Sequence, residues 1–357
     1  MITDWGIRLL KQDLIEAQKR LESKLRNLDI KSLGLSEYTE HYCSFLLSDL
    51  TETLSRFRQV LEIALESVNR NPKELSILDY GGGVGLQSML AKELGIGKVY
   101  YNDIFEGSCL DAKILAASCD LPADDYIHGD AKEVVDFLNR LEKGIDSIVS
   151  YDVIEHVYDV EANFKTFAEL DTAPRNFVYG SGANIKNPFY VHQVSKSHQM
   201  VELVNRSREK GHKDRDSTSS YLEIRKEFIL SLGQALTQEE VERLAIQTRG
   251  LILKDIDRVI TQYCKTGDIT YSPKHPTNTC DPNTGNWCEQ LLDFEWLESV
   301  AVRAGFEARI EKGVYSISGS LSRKTKRVLM NCANLALGRA GFTFAPFYVL
   351  VLKPARE

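Results

Sequence analysis

The fold of this chain is decided by the stretch Ser-Ile-Leu-Asp-Tyr-Gly-Gly-Gly-Val-Gly-Leu-Gln at residues 76–87, which Lys-Val-Tyr-Tyr-Asn-Asp follows at residues 98–103. These two pieces predict a buried strand, a glycine turn, a helix and a second strand that ends in an acid. Such a unit binds an adenosine-containing cofactor at the carboxyl edge of a parallel sheet. The kind of cofactor therefore decides what the chain does.

The spacing of the glycines distinguishes between classes of cofactor. Gly81, Gly83 and Gly85 form G-x-G-x-G, whereas a dinucleotide site needs G-x-G-x-x-G. The third glycine of that motif would fall on Leu86 if the motif began at Gly81, and on Ser88 if it began at Gly83, so the motif is absent in both alignments. The spacing disfavours a pyrophosphate site, and a plain strand-to-helix connection remains the structural alternative.

At this point the sequence resembles class I S-adenosylmethionine-dependent methyltransferases, in particular their type 11 and type 12 groups, whose first motif is an acid followed by G-x-G-x-G. Asp79-Tyr-Gly-Gly-Gly-Val-Gly85 matches that motif position by position. The resemblance implies that Asp79 helps bind the methionine part of the cofactor. It also implies that the glycines let the backbone approach the cofactor, since they have no side chain. The glycines concerned are Gly81, Gly82, Gly83 and Gly85.

Three further segments match the family in the expected order. Asp103 ends the second strand where the family's acid binds the ribose hydroxyls, and a carboxylate can accept both hydroxyl protons. His128-Gly-Asp-Ala131 matches the segment whose acid accepts from the adenine amino group, and residues 146–157 match a buried strand that ends beside cofactor and acceptor. Beyond the first motif, the implied cofactor-binding residues are Asp103, Ile104, Asp130, Ala131 and Tyr151.

Length and composition fit such a domain with additions. The chain has 357 residues, of which 43% are hydrophobic, enough for a full core. Its formal net charge of -7 provides no basic field for nucleic acid. Seven cysteines without a C-x-x-C pair suit reduced thiols. Because the start lacks a basic-then-apolar signal and no apolar run approaches roughly 20 residues, we expect a cytoplasmic protein without a membrane span.

The expected fold is α/β: a Rossmann-like, seven-stranded methyltransferase sheet with an N-terminal helical cap and a large, mostly helical insertion after the fifth strand. The expected divisions are a cap at 1–71, a cofactor-binding core at 72–184, an inserted lid or substrate region at 185–290, and a completion of the core at 291–357. The last division holds a helix and a closing strand pair, with a further helix over 324–337 between the two strands.

The residues before about Asn71 repeat leucines at helical spacing. Two interpretations remain open for these helices. They pack on the sheet or on a partner subunit, which would make a homo-oligomer, or they close over the cofactor with Tyr38, His41 and Tyr42. The clearer apolar stripe consists of Leu50, Leu54, Phe57, Leu61 and Leu65.

The insertion has a charged stretch at 205–216 whose default interpretation is a solvated surface. The alternative is that cations from this stretch bind an anionic acceptor, with Arg206, Arg208 and Lys213 as candidates. Helices are expected at 221–232 and 237–248, and the second begins with a capping box, Thr237-Gln-Glu-Glu240.

Methyl transfer to a hydroxyl requires alignment of the reactants and removal of a proton. His156, expected on a helix after the fourth strand, is the first candidate base, with Glu155 or Asp152 favouring its charged form. The alternative is that Glu155 and His156 only cap and pack that helix. His192 is the second candidate base, and His198 lies in the same region beyond the fifth strand.

A divalent metal is a further alternative. Asp152, Glu155 and His156 resemble the acid-x-x-Glu-His arrangement of ubiquinone-pathway O-methyltransferases, where these side chains bind a metal ion. Asp152 replaces a longer glutamate of those enzymes. A zinc site of His275, Cys280 and Cys288 lacks the usual two-residue knuckle, so a packed loop with Trp287 is the preferred interpretation.

The preferred function is S-adenosylmethionine-dependent O-methylation of a hydroxyl on a small-molecule or saccharide acceptor, with S-adenosylhomocysteine as product. Residues 281–287 also resemble bacterial methyltransferases found with polysaccharide-building enzymes. Three alternatives remain: N-methylation of a small amine, a non-catalytic module that binds S-adenosylmethionine, and a nucleotide-dependent oxidoreductase.

Overall fold

The computed structural model describes residues 4–66, 70–207 and 216–355, with side chains from residue 10 onward. The chain divides into two compact units. We call Met1–Ile154, Val160–Asn184 and Asp293–Glu357 the sheet unit, and Glu155–Asp159 with Ile185–Leu292 the helical unit.

Within the described residues, seven strands form one mixed sheet in the sheet unit. They are β1 (Ser76–Asp79), β2 (Lys98–Asp103), β3 (Asp125–His128), β4 (Ser147–Tyr151), β5 (Asn176–Ser181), β6 (Phe306–Lys312) and β7 (Tyr348–Pro354). Their order is β3-β2-β1-β4-β5-β7-β6; β1 to β5 are parallel, and β7 is antiparallel to both of its neighbours. This is the expected seven-stranded, Rossmann-like α/β sheet. The chain order reverses between β1 and β4, which is where open α/β sheets bind ligands.

Helices flank the sheet and make up most of the helical unit. They are α1 (Asp4–Arg26), α2 (Glu37–Ser48), α3 (Leu50–Leu65), α4 (Leu86–Leu94), α5 (Glu106–Ser118), α6 (Ala131–Leu138), α7 (Val160–Phe167), α8 (Pro188–Leu203), α9 (Tyr221–Ser231), α10 (Gln238–Gln247), α11 (Leu253–Thr266), α12 (Phe294–Arg303) and α13 (Leu321–Ala336). The helices α8 to α11 form the expected insertion after β5.

The N-terminal helices belong to the core of the sheet unit. Helices α1 and α3 pack against each other and against α4. Leu14 and Leu21 of α1 and Leu54 and Leu61 of α3 are fully buried, which confirms the predicted leucine stripes. Full burial of each such side chain contributes about 1.5–3 kcal/mol.

The central strands are buried on both faces, as parallel sheets usually are. Val149 and Val178 face the core that α1, α3 and α4 complete. On the other face, Tyr179 packs with its ring centroid 5.8 Å from that of Phe164, and Phe177 lies 5.2 Å from Phe306 in an edge-on contact. The side-chain alternation of a strand therefore supplies two cores.

The helical unit has a core of its own, with Ile229, Leu244 and Ile260 fully buried. The predicted capping box is confirmed: Thr237 Oγ1 accepts the Glu240 N–H, and Glu240 accepts the Thr237 N–H. The helices expected at 221–232 and 237–248 are α9 and α10.

The sequence pattern predicts the closing strands at 307–316 and 344–352. The first of them, β6, ends earlier, at Lys312, because side chains take over the hydrogen-bond partners of the backbone beyond it. Gly313 makes the last bond to the β7 side, donating to Phe347 O at 3.0 Å. After it, the N–H of Val314 donates to Gln59 Oε1 and that of Tyr315 to Asn331 Oδ1, both at 2.9 Å. These side chains replace a strand partner and lead the chain into α13.

Substitution of the buried pair Arg225 and Glu202 tests how much such pairs contribute to the stability of the helical unit. Arg225 is fully buried, donates to Ala245 O at 2.8 Å and pairs with Glu202, whose Oε2 also accepts from Thr279 Oγ1 at 2.7 Å. Arg225→Ala leaves a buried carboxylate without its cation, so we expect the free energy of unfolding to fall by about 3–5 kcal/mol in urea titrations.

The matched control for this change is Arg258→Ala, because Arg258 is exposed and pairs with Asp255 at 2.9 Å. That variant should lose less than about 1 kcal/mol, as exposed pairs do. Equal losses in both variants would contradict the assigned role of the buried pair.

Candidate functional site

The glycine turn follows β1 directly and leads into α4 at Leu86. Gly81, Gly83 and Gly85 have φ angles of 69°, 55° and 80°. These angles lie in the left-handed region, which side chains disfavour and glycine adopts readily. The G-x-G-x-G spacing is thus the spacing of the residues that reverse the chain between strand and helix.

Three consecutive residues at the end of β2 hold this turn in place. Asp103 Oδ2 accepts the Gly83 N–H at 3.0 Å, and Asn102 Oδ1 accepts the Gly81 N–H at 3.4 Å. The Tyr101 hydroxyl donates to the carbonyl oxygen of Gly83. Of these three residues, the sequence singled out only Asp103 as a site residue. Tyr101 and Asn102 could have been noticed because they are polar residues in a strand that was expected to be buried.

Asp79 is buried beneath the turn and anchors the start of α4. Its Oδ2 accepts both the N–H of Ser88, at 3.0 Å, and the Ser88 hydroxyl, at 2.7 Å. Burial raises the pKa of Asp79 to about 7, against the opposing effect of the two bonds from Ser88. The contacts of Asp79 in the structure are structural, and its role toward a cofactor stays a prediction.

The surroundings of the glycines show where a ligand fits. A Cβ on Gly81 would lie 2.4 Å from Val153 Cγ2, and one on Gly82 would lie 2.6 Å from the Tyr101 ring. The protein's own packing therefore requires glycine at both positions. A Cβ on Gly83 would meet only Tyr42 Cε1 within 4 Å, at 3.8 Å. The open side of the turn lies beside Gly83.

Helix α2 brings aromatic rings to this open side. The ring of Tyr42 lies beside Gly83. It stacks on the ring of Tyr38, with the two centroids 6.0 Å apart. Ser36 caps α2 and donates from its N–H to Asp111 of α5 at 3.2 Å, which fixes the start of the helix. His41 is exposed on the same helix. A cap over the cofactor by these residues stays a prediction.

The residues expected around adenine lie at the ends of β2 and β3. Ile104 follows Asp103 and is 49% exposed. Asp130 is the N-cap of α6, where its Oδ1 accepts the Lys132 N–H at 2.7 Å, and Ala131 is buried at the first position of that helix. The carboxylate of Asp130 thus has a helix-capping role, and its contact with adenine is untested.

Tyr151 ends β4 among aromatic side chains. Its ring lies edge-on to Phe57, with centroids 5.3 Å apart, and to Phe347 at 5.7 Å. Gly180 on β5 has room only for a hydrogen there, because a Cβ would lie 2.4 Å from the Tyr151 ring. The ring of Tyr151 is therefore fixed by packing.

The helix expected to carry His156 after β4 is only a single 3₁₀ turn, and it does not include Asp152. Asp152 has φ 54°, a short 3₁₀ turn spans Ile154–His156, and α7 begins only at Val160. Asp152 leaves the helical path because its Oδ1 accepts the Gly182 N–H at 2.9 Å, which ties the ends of β4 and β5 together.

This geometry removes the basis of the metal hypothesis. Asp152, Glu155 and His156 do not share one helical turn, as that hypothesis required. Across residues 4–66, 70–207 and 216–355 there is no group of three or more His, Cys, Asp or Glu side chains that could hold a metal ion.

His156 lies in the helical unit with one ring nitrogen fixed. Its Nδ1 is 2.8 Å from the carbonyl oxygen of Trp287, which can only accept, so Nδ1 carries the proton. In the neutral ring Nε2 then has the lone pair, and it lies 3.7 Å from Glu289 Oε1. The imidazole is 34% exposed. Tautomer and exposure fit a proton acceptor.

The segment around His156 is anchored to the loop before α12. The Gln290 N–H donates to the carbonyl oxygen of Glu155 at 3.0 Å, and the indole N–H of Trp287 donates to Tyr158 O at 3.3 Å. The rings of Tyr158 and Trp287 stack with centroids 6.3 Å apart. Glu155 itself is fully buried, which places its carboxylate away from solvent.

The two histidines of α8 have opposite surroundings. His192, the second candidate base, is exposed. His198 is buried: its Nε2 donates to the carbonyl oxygens of Cys288 and Glu289, and its Nδ1 lies 3.0 Å from Thr277 Oγ1. Burial lowers the pKa of His198, so it stays neutral and has a structural role.

The remaining candidates of the insertion have structural contacts. Burial raises the pKa of Cys288 to about 12 and raises that of Cys280 further, so both thiols stay protonated. Arg206 lies over the ring of Tyr221, 5.2 Å from its centroid. Arg208 and Lys213 lie outside the described residues. All seven cysteines are unpaired, and no described helix has the length and apolar character needed to cross a membrane.

Solved structures similar to this chain include two methyltransferases. One is the magnesium protoporphyrin IX methyltransferase of Synechocystis PCC 6803 with bound SAH, at 14% identity and TM-score 0.37, covering 87% of this chain and 88% of that chain. Another is the plantazolicin methyltransferase BpumL in complex with SAH, at 13% identity and TM-score 0.38, covering 98% of this chain and 100% of that chain. Likenesses this distant do not assign an activity. No protein-family model and no curated protein sequence matches the chain.

The buried carboxyl of Asp79 makes stability depend on pH. Unfolded aspartate titrates near pH 4, whereas burial holds the pKa of folded Asp79 at about 7. Between these values the unfolded chain loses a proton that the folded protein keeps, so the free energy of unfolding falls as pH rises, by at most about 1.4 kcal/mol per pH unit. Asp79→Asn does not titrate and escapes this loss.

We therefore expect the unfolding free energy of D79N, relative to the unsubstituted protein, to increase between about pH 4 and pH 7 in urea titrations. Asp125→Asn, at an exposed carboxylate that starts β3, is the matched control. A constant difference between D79N and the unsubstituted protein across this range would show that Asp79 is ionised when folded.

Proposed function

We propose that this chain transfers the methyl group of S-adenosylmethionine to a hydroxyl on a small-molecule or saccharide acceptor. The observation that carries the proposal is the turn at residues 81–85, whose open side beside Gly83 adjoins the carboxylate that ends β2. The glycine spacing does not fit a pyrophosphate. An acid at this place suits the two hydroxyls of a ribose.

Asp103 is suited to hold the ribose part. Its Oδ2 accepts the Gly83 N–H and its Oδ1 accepts the Phe105 N–H at 2.9 Å, so both oxygens are fixed by backbone donors. Each oxygen retains a further lone pair for a hydroxyl. In this proposal Gly83 adjoins the cofactor, with Tyr42 of α2 beside it.

S-adenosylmethionine would supply the methyl group, activated on its positively charged sulfur. The chain's own contribution is to align the acceptor and to take its proton. We assign the proton transfer to His156, because the Trp287 carbonyl keeps the proton on Nδ1 and leaves Nε2 as the acceptor. Glu289, 3.7 Å from Nε2, then stabilises the imidazolium that forms.

The acceptor class and the setting belong to the same proposal. Aromatic side chains of the helical unit, such as the stacked Tyr158 and Trp287, suit a saccharide or ring acceptor. Seven unpaired cysteines support a reducing compartment, for which we propose the cytoplasm.

The cofactor assignment is tested by calorimetry with S-adenosylhomocysteine and, separately, NAD. We expect saturable binding of S-adenosylhomocysteine and none of NAD. Asp103→Asn removes the charge that favours the hydroxyl protons and should weaken binding about tenfold or more, since hydrogen bonds to charged groups contribute roughly 1.5–3 kcal/mol.

Asp125→Asn is again the control and should bind S-adenosylhomocysteine as tightly as the unsubstituted protein does. Binding of NAD, or equal affinity in D103N, would contradict the assignment of this site. Binding of S-adenosylhomocysteine without turnover on any acceptor would identify a non-catalytic module instead of an enzyme.

The proton transfer is tested on a panel of hydroxyl and amine acceptors, with formation of S-adenosylhomocysteine as the readout. His156→Ala should lower kcat about a hundredfold with a hydroxyl acceptor, because a positioned base contributes about that much or more. His192→Ala, on an exposed face of α8, should stay within about twofold of the unsubstituted enzyme.

Affinity for S-adenosylhomocysteine should be unchanged in both histidine variants, which shows that the cofactor site is intact. A large loss only in H192A would move the base to His192. Small effects in both variants would indicate an amine acceptor, since a free amine needs no strong base.

A further inference from the structure

Helix α13 places its polar side chains against the protein. Arg327 is buried and its guanidinium lies 3.0 Å from Glu52 Oε2. Asn334 is fully buried and donates to Gly313 O at 2.8 Å, while Asn331 donates to Tyr315 O at 2.9 Å. The inner side of this helix is therefore polar, and its asparagines donate to backbone carbonyls of the chain that follows β6.

The outer side of the same helix is apolar. Leu321, Leu329 and Leu335 are 82%, 65% and 67% exposed. Leu321, Val328, Cys332 and Leu335 recur at steps of three, four or seven and so share one face, on which Thr325 is a polar member and Leu329 lies at one side. We call the exposed set of Leu321, Val328, Leu329, Cys332 and Leu335 the leucine face. An amphipathic helix on a protein surface normally has the reverse orientation, which indicates that something other than water covers this face.

The charge around the leucine face is positive. Residues 313–345 contain five Lys and Arg and no Asp or Glu, in a chain whose formal net charge is -7. Arg323 and Arg327 pair with Asp49. Lys324 and Lys326 make no ion pair within residues 4–66, 70–207 and 216–355, and at 100° per residue they lie on opposite borders of the leucine face.

Apolar side chains with lysines along both borders fit the surface of a bilayer that contains anionic lipids. The leucines enter the boundary between headgroups and acyl chains, and the lysines reach the phosphates while their stems stay apolar. A second copy fits less well, because a two-fold contact through this face would bring two sets of unpaired lysines together. Nucleic acid would leave the leucines in water.

We propose that α13 docks the sheet unit on anionic phospholipid membranes, lying in the plane of the interface. Its 16 residues span about 24 Å along the helix axis. The helix lies on the surface and does not cross it, in agreement with the absence of a membrane-spanning helix among the described residues. The inference goes beyond the proposed methyl transfer and does not depend on it.

The test is flotation of the full chain with vesicles of phosphatidylcholine alone and of phosphatidylcholine with about 30% phosphatidylglycerol. We expect binding to the anionic vesicles to exceed binding to the neutral ones by about tenfold or more, and to weaken as salt rises. Absence of binding to either vesicle, or equal binding to both, overturns the proposal.

Two variants separate the apolar and the charged contributions. Leu329→Glu should abolish flotation, and Lys324→Glu with Lys326→Glu should weaken it about tenfold or more. The matched controls are Leu230→Glu, at a 55% exposed leucine of α9, and Lys19→Glu on α1. Controls that lose binding as the α13 variants do would overturn the assignment to this face.

Two exposed cysteines allow a direct test, since Cys332 lies on the leucine face and Cys264 lies on α11 as the control. A polarity-sensitive fluorophore on Cys332, in a Cys264→Ser background, should shift to the blue with anionic vesicles. The same fluorophore on Cys264 in a Cys332→Ser background should not. Cross-linking between Cys332 side chains in solution, together with a dimer that L329E abolishes, would identify a second copy as the occupant and overturn the proposal.

Discussion

The candidate site depends on the hold that the end of β2 has on the glycine turn. Residues with positive φ cannot continue a strand or a helix, so their backbone groups need partners from elsewhere. Asn102 and Asp103 accept the N–H groups of Gly81 and Gly83, and Tyr101 donates to the Gly83 carbonyl. The same bonds fix the carboxylate of Asp103. One set of contacts therefore shapes the turn and positions the acid that the proposed ribose contact needs.

Buried polar groups hold the helical unit together in a similar way. Both ring nitrogens of His198 are bonded, and Arg225 is paired inside the core. The segment 155–159 is bonded through its backbone to the loop that contains Trp287. A buried polar group that has its partners restricts its neighbours to one arrangement, since the alternative is an unpaired group in a low dielectric. For the same reason His156 keeps its proton on Nδ1, which donates to the carbonyl oxygen of Trp287 in that loop.

Helix α13 obeys the same requirement with an unusual result. The chain between β6 and β7 offers backbone groups that no strand pairs, and Asn331 and Asn334 bond them from the inner side of the helix. The inner side is therefore occupied by polar residues, and the apolar residues of the stripe lie outside. The leucine face is thus a consequence of how the end of β6 is capped, and the lysines on its borders indicate the kind of surface that can cover it.

The seven-stranded sheet was expected from the resemblance of four segments to a known family. The sequence by itself determined the glycine turn and the leucine stripes of α1 and α3, because these follow from local patterns: leucine spacing and the positions where only glycine fits. It also placed Asp103 at the end of β2. It could not show that Tyr101 and Asn102 hold the turn, nor that Asp152 leaves the helical path to bond Gly182. Those contacts join residues that are far apart in the chain. Which nitrogen of His156 has the proton, and which side of α13 is polar, were likewise decided only by tertiary structure, because each depends on a partner that the local sequence does not specify.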